Sequence, residues 1–333
     1  MTLLDLLKRQ REALITRDDD ILAQLADAYT GIAGDLSDRI EALQEKMLEA
    51  LLEGQEIKPS WVYQQERYQS LLDQAYTRVA EFAATADQLT QSQQRAGVLA
   101  AAQNLQEQLE NLGITGNFYQ LPTAALDTLI GFLADGSPIT EHFAKMPGVL
   151  VEELQRTLVR GIAAGDGPRV LAYQLRKTAN LPLDSALRTA RTEHLRAYNT
   201  AALETYKENS NVVTGWQWMA TLGRSSGRTC PYCLAMHGTV HALGEPFIAH
   251  VQCRCSCLPI TRSGPPITQD GESWLREQSQ ATQEAILGKA AAKAWREGEV
   301  SLSDFAGTKD KGNWGEQGVV RSLKQARIVA RKS

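Results

Sequence analysis

Outside residues 230–257 this chain has no cysteine, and all five of its cysteines (Cys230, Cys233, Cys253, Cys255 and Cys257) fall inside that stretch. An odd number of thiols crowded into one place does not suit a disulfide framework and points to a reducing compartment. No run of about 18 apolar residues exists, so no membrane span is expected. The opening MTLLDLLKRQREAL breaks its apolar pattern with charges, which excludes the uninterrupted core of a secretory signal. Positive charge is also lacking: the net charge of -4 gives no overall electrostatic case for nucleic acid. The local exception is the tail, where Arg321, Lys324, Arg327, Arg331 and Lys332 have no acidic neighbour in sequence. Such a tail is either simply solvated or a contact for phosphate or an acidic surface.

Aromatic residues are few, while Ala, Leu, Gln and Glu are abundant, which favours a mostly helical protein. Residues 1–17 read as a short amphipathic helix, and Asp18-Asp19-Asp20 as the acidic start of the next. From there Leu22, Leu25, Tyr29, Ile32, Leu36, Ile40, Leu43, Met47 and Leu51 recur at steps of three and four, a narrow apolar seam. Gly54 and Pro59 close it, and Ser60 can cap a second long helix. That helix runs from about Trp61 towards Leu112 with Leu72, Ala75, Val79, Phe82, Ala86 and Leu89 on one face. Two long helices joined by a short turn imply an antiparallel hairpin, either packed within one subunit or docked as an arm on another protein. After a linker at 113–122, helices are expected at 123–134, 139–145, 147–164, 168–179 and 183–209. Residues 211–220 read as a strand with Trp216 and Trp218 on one face. Ser225-Ser226-Gly227 is a turn, residues 271–297 are helical, and the remainder is loop and short helix. The arginines and Glu193 between Arg188 and Arg196 are either surface pairs or a buried polar hub.

The fold expected is mainly α with a small α+β module. Residues 1–115 form the long helices, 120–182 a helical connector, 183–262 the cysteine-rich module, and 263–333 a C-terminal extension with the basic tail. Within the module, His237, His241 and His250 join the cysteines. A Cys-x2-Cys pair followed by a second ligand group is the layout of a closed, structural zinc site. Cys230 and Cys233 supply one half, and His250 with Cys253 or Cys255 the other. An extended backbone over 253–257 would turn Cys253, Cys255 and Cys257 to one face. Reduced cysteines packing a small core are the plainer alternative.

Enzymatic readings fare less well. Cys-Pro-Tyr-Cys matches the glutaredoxin tetrapeptide, but here it lies late in a helical chain rather than in an early βαβ unit. A zinc deaminase needs His-x-Glu and Pro-Cys-x-x-Cys, whereas Pro231 sits inside the pair. A nucleophile pair such as Cys233 with His250 remains compatible with the spacing.

The order Ala190-Arg191-Thr192-Glu193, Tyr198-Asn199, Trp216, Arg228-Thr229-Cys230-Pro231-x-Cys233, His237-Gly238, His250-x-x-Cys253-Arg254-Cys255 and Pro259 resembles the phage Mu F-like family over about 150–262. The tail, with Trp274-Leu275, Leu287-Gly288, Gly298 and Trp314-Gly315, resembles the C-terminal extension of the same family. Two positions depart from its pattern: Val251 follows His250 where proline is usual, and Ser226 stands where aspartate is usual. The resemblance implies a minor capsid, head-morphogenesis protein, associated with the portal and incorporated during procapsid assembly in the host cytoplasm. Its place would be in the virion, inside the head near the portal. Partners implied are the portal protein and scaffolding or major capsid protein, with self-association through the N-terminal helices and no membrane. No catalysis is expected. The competing readings are a DNA-binding accessory protein using the tail and a thiol-dependent enzyme.

Overall fold

The computed structural model describes residues 2–114, 116, 118, 128–223, 229–267 and 269–332, the side chain of Asn313 excepted. Helices dominate: α1 (Leu3–Leu52), α2 (Pro59–Tyr63), α3 (Glu66–Asn111), α4 (Ile139–Ala144), α5 (Met146–Ala164), α6 (Pro168–Ala179) and α7 (Leu181–Glu208) precede the first strand. After β1 (Val213–Met219) come α8 (Pro231–Met236), β2 (Val240–His241), β3 (Ser256–Thr261), α9 (Gly271–Arg276), α10 (Gln280–Leu287) and α11 (Lys289–Arg296). The chain closes with β4 (Ala306–Asp310), β5 (Glu316–Val320) and α12 (Leu323–Ala330). Among these, no helix is long and apolar enough to cross a membrane.

Two compact units emerge, one of residues 19–92 and 137–190, the other of 1–18, 93–136 and 191–333. In the first, the expected seam is buried from Leu25 through Met47, and Val79, Phe82 and Ala86 are buried on the facing helix. Arg39 reaches Ser70 at 2.6 Å and Arg78 reaches Asp35 at 3.1 Å, so the two helices run antiparallel. Tyr29 meets Phe82 edge-on with ring centroids 4.8 Å apart, and its hydroxyl donates to the carbonyl of Ala179. Leu51 is exposed, and Leu22 and Leu89 are only half-buried, so the seam is shorter than its periodicity suggests. Ser60 does not cap the second helix. Pro59 opens α2 at its first turn, where a missing N–H costs nothing, and α3 begins only at Glu66. Gly165 ends α5 at φ 78 and Pro168 starts α6, as the Gly-Asp-Gly-Pro breaker requires.

The second unit corrects the reading of the first 20 residues. Helix α1 is continuous, and Asp18 does not start a helix. It is buried inside one, with Arg191 donating to its Oδ2 through Nε at 2.6 Å. His194, fully buried, lies 3.7 Å from the same carboxylate, and Gln93 contacts its Nδ1 at 3.3 Å. Arg196 pairs with buried Glu193 at 2.5 Å. Asp18, Glu193 and His194 therefore form a buried polar hub, with Arg191 and Arg196 half-buried against it and Arg188 exposed. A β-carbon at Gly97 would stand 2.8 Å from the His194 ring, so this close approach depends on glycine.

Around the hub, β1 is the centre of a three-stranded antiparallel sheet, with β2 and β3 on its flanks. Trp216 pairs with His241 on one side and Pro259 on the other, and Trp218 pairs with Cys257. Both tryptophans are fully buried with ring centroids 6.3 Å apart, as their spacing predicts. Gln217, on the opposite face, is buried but satisfied: its amide donates to the carbonyls of Gly238 and Ile267, both at 2.8 Å.

The C-terminal region differs from expectation in three respects. Residues 271–297 make three short helices rather than one. The stretch read as loop holds the β4–β5 hairpin, whose Gly318 packs so closely that a β-carbon there would stand 2.3 Å from the Tyr232 ring. The tail is not free of acids in space: Arg327 pairs with Glu299 at 2.6 Å, and Arg321 donates to the carbonyls of Asp304 and Ala306. The linker at 113–122 and the helix at 123–134 fall partly outside the described residues, and 128–134 form turns and a bridge, not a helix. The turn at Ser225–Gly227 also lies outside the described residues.

Candidate metal centre

Cys230 is the N-cap of α8, with Pro231 in the first turn. Its Sγ accepts the backbone N–H of Cys233 at 3.3 Å, a bond that favours the thiolate and turns the second cysteine back towards the first. The other half is a tight turn in which the N–H of Cys253 donates to the carbonyl of His250 at 3.1 Å. Gln252 takes φ 62 in that turn, a left-handed conformation unusual for a side chain that is not Gly, Asn or Asp. Its N–H is held at 3.0 Å by the hydroxyl of Thr192. The N–H of Cys255 then donates to Sγ of Cys253 at 3.4 Å, mirroring the bond at Cys230.

These two pieces meet. His250 Nε2 lies 3.2 Å from Cys230 Sγ and 3.0 Å from Cys233 Sγ, and Cys233 Sγ lies 3.6 Å from Cys253 Sγ. Among the described residues, two ligand groups fall within 4.8 Å, Cys230–Cys233–His250 and Cys233–Cys253–Cys255, and Cys233 belongs to both. A tetrahedral ion with thiolate and imidazole ligands at about 2.3 and 2.0 Å sets its donors roughly 3.5–3.8 Å apart. The observed spacings, 3.0 to 3.6 Å, are tighter than that, and the donors form two overlapping sets of three rather than one set of four. The imidazole is also correctly oriented: Nδ1 lies 2.7 Å from the carbonyl of Val251, which can only accept, so Nδ1 carries the proton and Nε2 faces the sulfurs. The cluster therefore could hold a metal ion.

Its electrostatics agree with that chemistry. Hydrogen bonding from Cys233, aided by His250, lowers the Cys230 thiol to about 5. Bonds from Cys233 and Cys255 hold Cys253 well below the ordinary range. Burial works against the His250 cation, yet the bonds to Cys230 and Cys253 raise it to about 11. Cys233, placed between two thiolates, is pushed well up. In the metal-free chain a Cys233 S–H proton and a His250 Nε2–H proton thus separate the anionic sulfurs. A dication supplies the same compensation and displaces those protons.

All five predicted ligands are in or beside the cluster, with Cys255 the outlying fifth. Cys257 is not on the same face. Its thiol, raised to about 12 by burial, points to the carbonyl of Asn199 at 3.8 Å. His237 and His241 also stay out: His237 accepts the N–H of Ala220 at 3.1 Å, and His241 stacks on Trp216 with centroids 4.1 Å apart. What the residue pattern did not expose is the clamp that sets the second half. Thr192 and Asn199, two helical turns apart on α7, both bond the backbone of the cysteine segment, Asn199 at Cys255 and Cys257. Their spacing of seven was the available signal, since it places both on one helix face.

No curated protein and no solved structure matches the chain. Residues 152–258 match the family model described as Phage Mu protein F like protein. That segment holds all five candidate ligands and both clamp residues, and the match is to the Mu F-like family that its motifs resemble.

Proposed function

We propose that this chain is a structural protein of a phage head, associated with the portal, incorporated during procapsid assembly, and without catalysis of its own. The observation that carries the reading is the meeting of Cys230, Cys233, His250 and Cys253 inside the Mu F-like segment. A zinc ion held by those four ties α8 to the turn at His250–Cys253 and offsets the entropy of ordering the long loop between them. Cys255 then serves as the N–H donor to Cys253 rather than as a ligand. The module is a rigid knob, and the helices of residues 19–92 and 137–190 offer contact surface. Tyr76, Val149, Val170 and Tyr173 are exposed apolar side chains there, suited to the portal, to scaffolding or major capsid protein, or to a second copy. The DNA-binding alternative is weakened because Arg321 and Arg327 are engaged within the chain.

The direct test is co-purification with the portal protein of the same phage, together with incorporation into heads. Stable capture that Cys230→Ser or Cys233→Ser reduces supports the proposal. Absence from purified heads, with no portal capture, ends it. A thiol-dependent enzyme shares one feature of this geometry, the 3.0 Å approach of Cys233 to His250. Thiol titration separates the two: metal-bound, unreactive sulfurs fit the structural role, and one hyper-reactive thiol fits the enzyme.

A further inference from the structure

Cys233 stands where the two halves of the cluster meet, and it belongs to both ligand groups. Its Sγ lies 3.6 Å from that of Cys253, although the two residues are 20 apart in sequence. On its other side the Cys230 sulfur is within 4.8 Å, and Cys230 and Cys253 fall in different groups. The bonds that set each half are the chain's own. Cys233 rides on α8, whose N-cap is Cys230, and Cys253 follows the turn that Thr192 pins at Gln252. The sulfurs of a disulfide are about 2.05 Å apart, so closing the Cys233–Cys253 gap takes roughly 1.5 Å of side-chain movement. Exposure differs among the three: Cys230 is half-buried, whereas Cys233 and Cys253 are each only 4% exposed. A small oxidant therefore meets Cys230 first.

We infer that Cys230, Cys233 and Cys253 form a thiol relay, which on oxidation by a peroxide ties the two halves together through a Cys233–Cys253 disulfide. The chemistry takes three steps. The Cys230 thiolate attacks one oxygen of the peroxide, so an S–O bond forms, the O–O bond breaks and hydroxide leaves. The Cys233 thiolate attacks the resulting sulfenic sulfur, forming a Cys230–Cys233 bond and expelling a second hydroxide. The Cys253 thiolate then attacks the Cys233 sulfur, and the electron pair of the broken bond leaves on Cys230 as a thiolate. Overall, two thiolates and one hydrogen peroxide give one disulfide and two hydroxides. Cys233 is the residue that makes this possible, because it alone touches the exposed thiol on one side and the buried one on the other.

Once joined, Cys233 and Cys253 no longer have two thiolates to offer a metal, so any bound ion is released. The tie between α8 and the turn at His250–Cys253 survives, now as a covalent bond closing the loop between them. A chain made in a reducing compartment and then carried out of it exchanges one fastening for the other. The relay rests on the sulfur geometry and not on the phage-head reading. It is also expected if the chain holds no ion, so the failure of either claim leaves this one standing.

The test is a small excess of hydrogen peroxide added to the full chain, purified with reductant and then freed of it. Disulfides are mapped by mass spectrometry of unreduced peptides, and zinc release is followed with a chromogenic chelator. The wild-type chain is expected to end with a single Cys233–Cys253 bond, formed in step with any release of zinc. Cys253→Ser should stop at the Cys230–Cys233 bond, and Cys230→Ser should slow oxidation about tenfold, since the remaining thiols are buried. After chelation, the oxidised wild type should melt about 5–10 °C above the reduced protein, a gain absent from oxidised Cys253→Ser. The mapping of the wild-type chain needs no variant, so a substitution that fails to fold leaves the test intact. A wild-type end product bonded Cys230–Cys233 or Cys253–Cys255 overturns the relay. So does sulfinic acid at Cys230 with no disulfide, or a chain whose thiols all stay reduced.

Discussion

Asn199 holds Cys257 from two sides: its Oδ1 accepts the Cys257 backbone N–H at 3.0 Å, and its own main-chain carbonyl faces the Cys257 thiol at 3.8 Å. Its amide also donates to the carbonyl of Cys255 at 3.2 Å. One buried side chain thus fixes where β3 begins and where the preceding cysteines lie. Asn199→Ala leaves a buried N–H and a buried carbonyl unmet, and should cost about 2–3 kcal/mol in urea unfolding. Wild-type stability in that variant would show that the clamp carries no weight.

The pair Asp18–Arg191 is the second anchor, with the carboxylate almost wholly buried. Asp18→Ala removes the carboxylate opposite a mostly buried guanidinium, and a loss of about 3–5 kcal/mol is expected. The double variant Asp18→Leu/Arg191→Met should recover most of it, because two apolar groups of similar size need no compensation. Equal stability of the single and double variants would contradict this.

Gly318 lies against the Tyr232 ring, which cannot swing away freely because its hydroxyl donates to the carbonyl of Ile248 at 2.6 Å. Gly318→Val should therefore cost about 1–3 kcal/mol by overpacking, whereas the same change at exposed Gly54 should not act through packing. A thermal melt of the Gly318 variant at the wild-type temperature would refute the contact.

These contacts also show why parts of the molecule were legible in sequence and others were not. The seam from Leu25 to Met47 and the strand at Trp216 and Trp218 follow from periodicity, because one face of each is buried and the other is not. That Cys230, Cys233, His250, Cys253 and Cys255 belong to one cluster was legible because soft donors concentrate at one place. Asp18 misled: an acidic run ordinarily marks a helix start, and only a partner far along the chain, Arg191, makes its burial inside a helix tolerable. The β4–β5 hairpin was hidden because its strands, AGTKD and EQGVV, show no apolar alternation. They are held by backbone pairing and by glycines that admit close neighbours. Cys257 does not share a face with Cys253 and Cys255 because the condition for it, an extended backbone over 253–257, is met only from Ser256 onward.

The pH dependence of the metal-stripped protein has a definite shape. Cys230 is lowered in the fold from 9.0 to about 5, so its contribution is complete above pH 9 and is lost as pH falls towards 5. His250 is raised from 6.5 to about 11, so its contribution is complete below pH 6.5 and is lost as pH rises towards 11. Cys253 is lowered as well, so from about pH 6.5 to 9 two thiolates add stability with rising pH while one imidazolium loses it. Stability should therefore rise to an optimum at about pH 9 and decline above it, as read by chemical unfolding across pH after chelation. A flat or falling profile from about pH 6.5 to 9 would contradict the thiolate–imidazolium arrangement.

The central claim is that sulfur and imidazole from the two halves close around one ion. Elemental analysis of the purified full chain, with protein concentration determined independently, tests it most directly. The account predicts about one zinc per chain, retained in Cys255→Ser and Cys257→Ser and lost in Cys233→Ser. Protein that holds no metal after purification under reducing conditions, and whose unfolding is unchanged by added zinc or chelator, would contradict it.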